Sequence, residues 1–232
     1  MFSFGAEGWG DELARGALLT IGLACATLPV GLALGLGVAL AKDSRSRTLR
    51  VIGETYTTVF RGIPELLTLL LIYYGAQMAL DSAATATGIP FNFTIPPFAA
   101  GVLALGLVFG AYASEVMLSA LRGVERGQIE AAASFGMSEE MVFRRVRLPQ
   151  MLRIALPGLG NNWLVLLKDT SLVSIIALGD LLRQTTIAVD TTKQPFKFYA
   201  AACLIYLVMT AVSTLLLARA ESWARRGWRG TR

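Results

Sequence analysis

The chain has 232 residues, of which 54% are hydrophobic and 16% charged, and its mean hydropathy is positive. This composition argues against a water-soluble globule and predicts one integral membrane domain that covers residues 1–232. The formal charge of +5 comes from basic residues between and after apolar runs, so it indicates membrane topology and not a nucleic-acid surface.

The apolar runs predict an all-α fold with five membrane-spanning helices, because a spanning helix needs about 20 largely apolar residues. The predicted spans run from Gly16 to Ala41, from Thr57 to Leu80, from Phe98 to Leu118, from Leu156 through Lys168 and Asp169, and from Phe198 to Ala218. The first run is too long for the core of a cleaved signal peptide, so we expect it to remain in the membrane.

Lysines and arginines in the short connections predict the orientation, because they accumulate on the cytoplasmic side. Residues 42–50 contain four of them and residues 122–153 contain six arginines, which predicts that both connections are cytoplasmic. Residues 81–97 contain none and are expected outside, whereas residues 180–197 have mixed charge. The basic tail, residues 219–232, is expected inside. The N-terminus is therefore predicted to lie outside and the C-terminus in the cytoplasm.

A polar island, QIEAAASFGMSEEMVFRRVRLPQ, interrupts the apolar chain at residues 128–150. Its pattern predicts two short helices joined by a glycine elbow, with Gly136 in the left-handed conformation and Ser138 capping the second helix. Arginines in the last turn of that helix are favoured by its dipole, and Pro149 is expected to stop it. Periodicity alone also allows an amphipathic helix that lies on the membrane surface.

The spacing within this island resembles a known family. Glu130-Ala131-Ala132, then Gly136, then Val146, Leu148 and Pro149 are similar to the E-A-A, three residues, G, nine residues, I-x-L-P pattern of permeases from binding-protein-dependent ABC importers. The resemblance continues in the stretches GAYASEVMLSALRGVERGQIEAA, KDTSLVSIIALGDLLRQ and FRGIPELLTLLLIYYG. These stretches resemble the polar amino acid subfamily, in particular permeases for histidine, arginine, octopine and nopaline.

The resemblance implies a type I ABC importer permease in a bacterial inner membrane, with a periplasmic N-terminus. Residues 122–153 then form a coupling loop that docks on a cytoplasmic ABC ATPase dimer. The coupling residues that it implies are Glu130, Ala131, Ala132, Gly136, Leu148 and Pro149. ATP and Mg belong to the ATPase, since this sequence has no G-x-x-x-x-G-K-[ST] loop.

The same resemblance implies further partners and a substrate class. A periplasmic solute-binding protein delivers the substrate, and a second permease subunit completes the pore, with a paralogue favoured over an identical copy. The expected substrate is a polar, basic amino acid or an opine.

Ionisable residues inside predicted spans are candidates for the substrate pathway, because they are costly there. The strongest group is Lys168-Asp169-Thr170-Ser171, for which pairing of Lys168 with Asp169 or with a carboxylate of another span is an equal alternative. Glu65 is the second candidate, since Gly62 and Pro64 are expected to break the helix beside it; the alternative is an ion pair with Arg61. A structural pairing is expected for Glu115.

Other residues indicate structure, not chemistry. Gly31, Gly35 and Gly37 favour close packing of the first span. The chain has no histidine, and Cys25 and Cys203 lack zinc spacing, so neither a metal site nor catalytic residues are expected. These absences disfavour a membrane-embedded enzyme. A gated pore or channel that is not coupled to ATP stays an alternative, although it gives the polar island no purpose.

Overall fold

The computed structural model describes residue 3, residues 8–87 and residues 94–225. Part of the predicted external connection, residues 88–93, and the end of the basic tail, residues 226–232, lie outside the described residues. Regular structure in the described residues is entirely helical. The predicted all-α fold is confirmed.

Nine α-helices form the described part of the chain. They are α1 (Gly10–Asp43), α2 (Arg47–Gly62), α3 (Glu65–Thr87), α4 (Pro97–Arg122), α5 (Arg126–Ser134), α6 (Glu139–Val142), α7 (Leu148–Asp169), α8 (Leu181–Thr192) and α9 (Pro195–Arg225). One turn of π-helix, Phe143–Arg147, joins α6 to α7, and a 3₁₀ segment, Thr170–Ile176, follows α7.

Four helices of the described residues, α1, α3, α4 and α9, are long and apolar enough to cross a membrane. The fourth predicted span is found as α7, a helix of 22 residues that is less apolar than those four and is not among them. At 1.5 Å per residue, α7 is still about as long as a bilayer core is thick.

The second predicted span, from Thr57 to Leu80, is divided. Helix α2 ends at Gly62, Ile63 and Pro64 adopt no helical structure, and α3 begins at Glu65. The expected break beside Glu65 is confirmed. As a consequence, the part of the second predicted span that forms a continuous apolar helix is α3. Helix α2 is amphipathic, because Arg47, Arg50, Glu54 and Arg61 recur on one side of it.

The expectation that Pro149 stops a helix is wrong. Pro149 lies in the first turn of α7, and helical structure runs without interruption from Glu139 to Asp169. The turn of π-helix lies directly before Pro149, and such local π adjustments satisfy the backbone groups that a proline inside a helix leaves free. The polar island therefore leads directly into a long helix instead of being separated from it.

Helices α1 and α4 form the most extensive contact between elements. Gly31 and Gly35 of α1 face α4: a Cβ added at Gly31 would lie 2.4 Å from Phe109 Cδ1, and one at Gly35 would lie 2.9 Å from Ala113 Cβ. Gly37 meets nothing within 4 Å. The expected packing role is confirmed for Gly31 and Gly35, whereas a Cβ at Gly37 meets no described residue of this chain.

Three apolar clusters follow one another along α1. The cluster at its beginning contains Leu13 and Phe198, the middle cluster contains Leu23 and Leu105, and the cluster at its end contains Ala39 and Met151. Each cluster includes residues of α1 together with residues of later helices. Helix α1 is thus in contact with α2, α4, α7 and α8, and α9 packs mainly on α7 and α8.

Replacing Gly35 with valine should separate α1 from α4. The added Cβ would lie 2.9 Å from Ala113 Cβ and 3.2 Å from the backbone oxygen of Gly110, so the helices must shift. We expect the free energy of unfolding to fall by about 1–3 kcal/mol in an SDS titration of the detergent-solubilised protein. Gly37→Val is the matched control because its Cβ meets no neighbour. Equal losses in both variants would contradict the assigned contact.

Candidate functional site

A cavity of about 290 Å³ lies between α3, α4 and α7. Its walls are mainly apolar, and its polar side chains are few. The lining residues are Glu65, Leu105, Val108, Phe109, Tyr112, Asn162, Val165, Leu166 and Asp169. Small-molecule sites have this character, with an apolar lining and a small number of placed polar groups.

Two carboxylates face this cavity from helix ends. Glu65 is the first residue of α3, directly after the break at Ile63 and Pro64, and Asp169 is the last residue of α7 before the 3₁₀ segment. Interrupted helices in transporters leave backbone groups free to meet a substrate. The structure therefore brings together the two acidic residues that the sequence identified separately.

Asn162 adds a hydrogen-bonding group that the sequence interpretation missed. It lines the cavity from α7, and its Nδ2 is buried without a hydrogen-bond partner. A buried amide without a partner is costly, so it is a natural contact for a bound polar molecule. Asn162 is a polar residue within an apolar stretch, and this pattern in the sequence indicates a candidate residue for a polar site.

The other predicted pathway residues do not line the cavity. Thr170 is fully buried, and its Oγ1 donates a hydrogen bond to the backbone oxygen of Leu167 at 2.8 Å. Lys168 is exposed and Ser171 is partly buried. Within the described residues, neither of the ion pairs considered for Lys168 is present.

Arg61 does not pair with Glu65, so that alternative is wrong within the described residues. The guanidinium of Arg61 lies 3.5 Å from Glu115 Oε1 and 5.4 Å from the centre of the Tyr112 ring. Glu115 also pairs with Lys42, which confirms its expected structural pairing. The Glu65 carboxylate therefore faces the cavity without neutralisation by Arg61.

The polar island forms the predicted elbow. Helix α5 ends at Ser134, and Gly136 follows with a φ of +79°. The N–H of Gly136 donates to Ala133 and that of Met137 donates to Ala132, so the last carbonyls of α5 are satisfied. Ser138 Oγ accepts a hydrogen bond from the N–H of Met141 at 3.3 Å, which confirms the predicted cap.

The six residues of the resemblance in this elbow divide into two groups. Glu130, Ala131, Gly136 and Pro149 are exposed, whereas Ala132 is buried and Leu148 packs against the cluster around Met151. Phe135, which the sequence interpretation did not single out, has 89% of its surface exposed. The first group and Phe135 are available to another surface, and the second group anchors the elbow to its own chain.

No group of three or more histidine, cysteine, aspartate or glutamate side chains in the described residues is arranged to hold a metal ion.

This chain is similar to known proteins in sequence and in fold. The family described as "Binding-protein-dependent transport system inner membrane component" matches residues 31–226. The nopaline transport system permease protein of Agrobacterium fabrum is 44% identical over 230 residues, which cover 99% of this chain and 98% of the relative. The histidine/lysine/arginine/ornithine transport system permease protein of Escherichia coli is 42% identical over 210 residues, or 90% and 92% of the two chains.

A solved structure gives the same result at the level of the fold. The crystal structure of an amino acid ABC transporter with histidines has a TM-score of 0.78 and 35% sequence identity, and the match covers 92% of this chain and 94% of that one. The fold, the elbow and these likenesses agree, and the chain belongs to the family of inner membrane components of binding-protein-dependent transport systems.

Proposed function

We propose that this chain is a permease half of an ATP-driven importer for polar, basic amino acids or opines. One observation carries the substrate class: Glu65 and Asp169 line a single cavity. Two carboxylates attract a guanidinium or ammonium group, and hydrogen bonds between ions are roughly twice as strong as neutral ones. The amide of Asn162 is available in the same cavity for the carboxylate of an amino acid. The amino acids and opines named for its relatives support the same class.

The proposed topology has five spans, with α2 and α3 together forming the second and α7 the fourth. The N-terminus is periplasmic and the C-terminus cytoplasmic in a bacterial inner membrane. Support comes from the basic connections at residues 42–50 and 122–153, which lie at the same end of the helices. Helix α7 tolerates Asn162 and Asp169 because they border a cavity instead of lipid.

The elbow is proposed to be the contact with an ABC ATPase. Phe135 has an exposed ring and lies beside the exposed residues of the elbow, Glu130, Ala131 and Gly136. Burying such a ring in a groove of the partner contributes about 1.5–3 kcal/mol. We propose that ATP and Mg bind to that partner, and that this chain carries out transport without ATP hydrolysis of its own.

A periplasmic binding protein and a second permease subunit complete the proposed assembly. We propose a paralogue as the second subunit, because this chain is similar to permeases of the histidine and opine type. Lys168, Thr170 and Ser171 remain proposed pathway residues; their role requires a contact outside the cavity lined by Glu65 and Asp169.

The function is tested by uptake into proteoliposomes that contain the permease pair and the ATPase. Arginine, histidine, octopine and glutamine are compared in the presence of the cognate binding protein. We expect accumulation that requires both ATP and the binding protein, with arginine, histidine or octopine preferred over glutamine. Flux that persists without ATP would support the alternative of a gated pore instead.

Neutralising the cavity should weaken transport of cationic substrates. Glu65→Gln and Asp169→Asn keep the side-chain shapes but remove one charge each, and a hydrogen bond to a charged group contributes about 1.5–3 kcal/mol. We therefore expect arginine uptake at low concentration to fall about tenfold or more, and glutamine uptake to change less. Glu54→Gln is the control, since Glu54 is exposed and does not line the cavity. Unchanged arginine uptake in both cavity variants would leave these carboxylates only a structural role.

The cavity should be reachable by water. In a chain with Cys25 and Cys203 replaced by serine, we expect Asp169→Cys to react with a charged, water-soluble thiol reagent, because thiolates form and react in water. Thr170→Cys is the adjacent control, since Thr170 is fully buried. Labelling is read by mass spectrometry of the intact protein. Similar rates at the two positions would show that the cavity is not a separate aqueous path.

Coupling should depend on the conformation of the elbow. Gly136 has a φ of +79° and no neighbour around an added Cβ, so Gly136→Val acts through backbone strain, which costs about 1–2 kcal/mol. We expect less ATPase to co-purify and ATP-driven uptake to fall. Gly127→Val is the matched control, because Gly127 is equally open but lacks a positive φ. Full coupling in the Gly136 variant would remove the elbow from the proposed mechanism.

A further inference from the structure

The last turn of α1 carries two adjacent charges that are directed to different parts of the molecule. Lys42 is buried, with 8% of its side chain exposed, and Asp43 is 21% exposed. Charges that are taken out of water need partners, because desolvation is expensive. Both residues have partners: those of Lys42 lie on α2 and α4, and those of Asp43 lie in the turn of π-helix before α7 and at the end of α4.

Lys42 connects α1 to α2 and α4. Its Nζ forms an ion pair with Glu115 of α4 and donates a hydrogen bond to Thr57 Oγ1 of α2 at 3.2 Å. Glu115 in turn lies 3.5 Å from Arg61 Nη1, and Arg61 is placed over the ring of Tyr112. Tyr112 lines the cavity. A continuous series of contacts therefore leads from Lys42 to the cavity wall.

Asp43 connects α1 to the elbow. Arg147 Nη2 donates to Asp43 Oδ2 at 2.6 Å, although the two residues are 104 positions apart. Arg122, at the end of α4, lies 3.9 Å away on the other carboxylate oxygen and is mostly exposed. The short contact to Arg147 is the stronger of the two, because it is closer and better shielded from water.

Arg147 belongs to the turn of π-helix between α6 and α7. Single π turns inside helices are uncommon and occur frequently at functional sites. The Nε of Arg147 is buried without a hydrogen-bond partner. The guanidinium is therefore held by Asp43 but is not fully satisfied in this arrangement, which leaves it free to pair differently when the elbow moves.

We propose that Asp43 and Arg147, together with Lys42, Glu115 and Arg61, are positioning residues that transmit movement of the elbow to the cavity wall. This inference rests on the proposed function, in which the elbow receives the work of an ATPase. The geometry supplies the connection: the two charges follow each other in one rigid helical turn, so a displacement of Arg147 moves Lys42 with Asp43. Glu115, Arg61 and Tyr112 follow in contact.

Ion pairs that only hold helices together would behave differently. Their loss lowers stability and all activities together. If the ion pairs transmit movement, their loss should uncouple the elbow from the cavity wall, while ATP hydrolysis on the ATPase and substrate binding at the cavity both persist. Spatial connection alone does not distinguish these cases, so the test must measure coupling directly.

The experiment uses the complete complex of permease pair, ATPase and binding protein in proteoliposomes. ATP hydrolysis is measured without binding protein and with arginine-loaded binding protein, beside ATP-driven arginine uptake. The variants are Arg147→Gln, Glu115→Gln and the double variant. We expect basal hydrolysis to persist, and stimulation by the loaded binding protein to fall at least about fivefold in each single variant.

The double variant decides whether the two pairs act in series. Either substitution interrupts the same series of contacts. We therefore expect the double variant to show the same stimulation as the single variant with the lower stimulation, and not a loss equal to the product of the two single losses. Arg147→Lys keeps the charge and should retain more stimulation than Arg147→Gln. Glu140→Gln is the matched control, because the exposed Glu140 to Arg144 pair lies within the elbow and does not reach α1.

Three results would overturn the inference: unchanged stimulation in Arg147→Gln and Glu115→Gln, losses that multiply in the double variant, or an equal loss in Glu140→Gln. Reduced melting temperature with a parallel fall of basal and stimulated hydrolysis also overturns it in favour of a structural role. If Glu115→Gln does not assemble, Arg147→Gln and Arg147→Lys are compared with each other. Failure of the wild-type complex to import any of arginine, histidine and octopine with ATP, by contrast, rejects the proposed function itself.

Discussion

The close approach of α1 and α4 is the contact on which one wall of the cavity and the ion pairs at the end of α1 depend. Gly31 and Gly35 have no side chains, so α4 can lie against the backbone of α1. Their contact places Phe109 and Tyr112 on the cavity side of α4 and brings Glu115 within reach of Lys42. Close packing of this kind is the main attraction between helices in lipid, because lipid tails are as apolar as the side chains that they touch.

The arrangement connects two regions for which different roles are proposed. At one end of α1, the elbow presents Phe135 and Glu130 to the outside of the chain. Further from the elbow, Glu65 of α3 and Asp169 of α7 line the cavity beside α4. The carboxylates at the cavity lie in a mainly apolar lining, where charges interact more strongly than in water, whereas the charged residues of the elbow are exposed.

Sequence patterns predicted the features that depend on neighbouring residues. The elbow, its left-handed Gly136 and its cap at Ser138 follow from local preferences, and the break beside Glu65 follows from Gly62 and Pro64. The prediction that Pro149 ends a helix was wrong, because helical structure continues through this proline after a turn of π-helix. The extent of the fourth span was also uncertain from hydropathy, since α7 contains polar residues that border a cavity.

Features that depend on distant residues were not predictable. Arg147 and Asp43 are 104 positions apart, and Lys42 and Glu115 are 73 positions apart. Charge and closeness in sequence suggested an ion pair between Arg61 and Glu65. In the folded chain, Arg61 instead lies beside Glu115. The wall of the cavity shows the same limit, because Tyr112 and Asn162 come from helices that only the folded chain brings together.

The division of the second span into α2 and α3 has a consequence for the permeability barrier. Helix α2 carries Arg50, Glu54 and Arg61 with exposed side chains, and charged groups do not face hydrocarbon. In the proposed topology, this half of the span therefore borders water that is continuous with the cytoplasm. The seal against ion leakage must then lie on the periplasmic side of Ile63 and Pro64, among the apolar residues of α3.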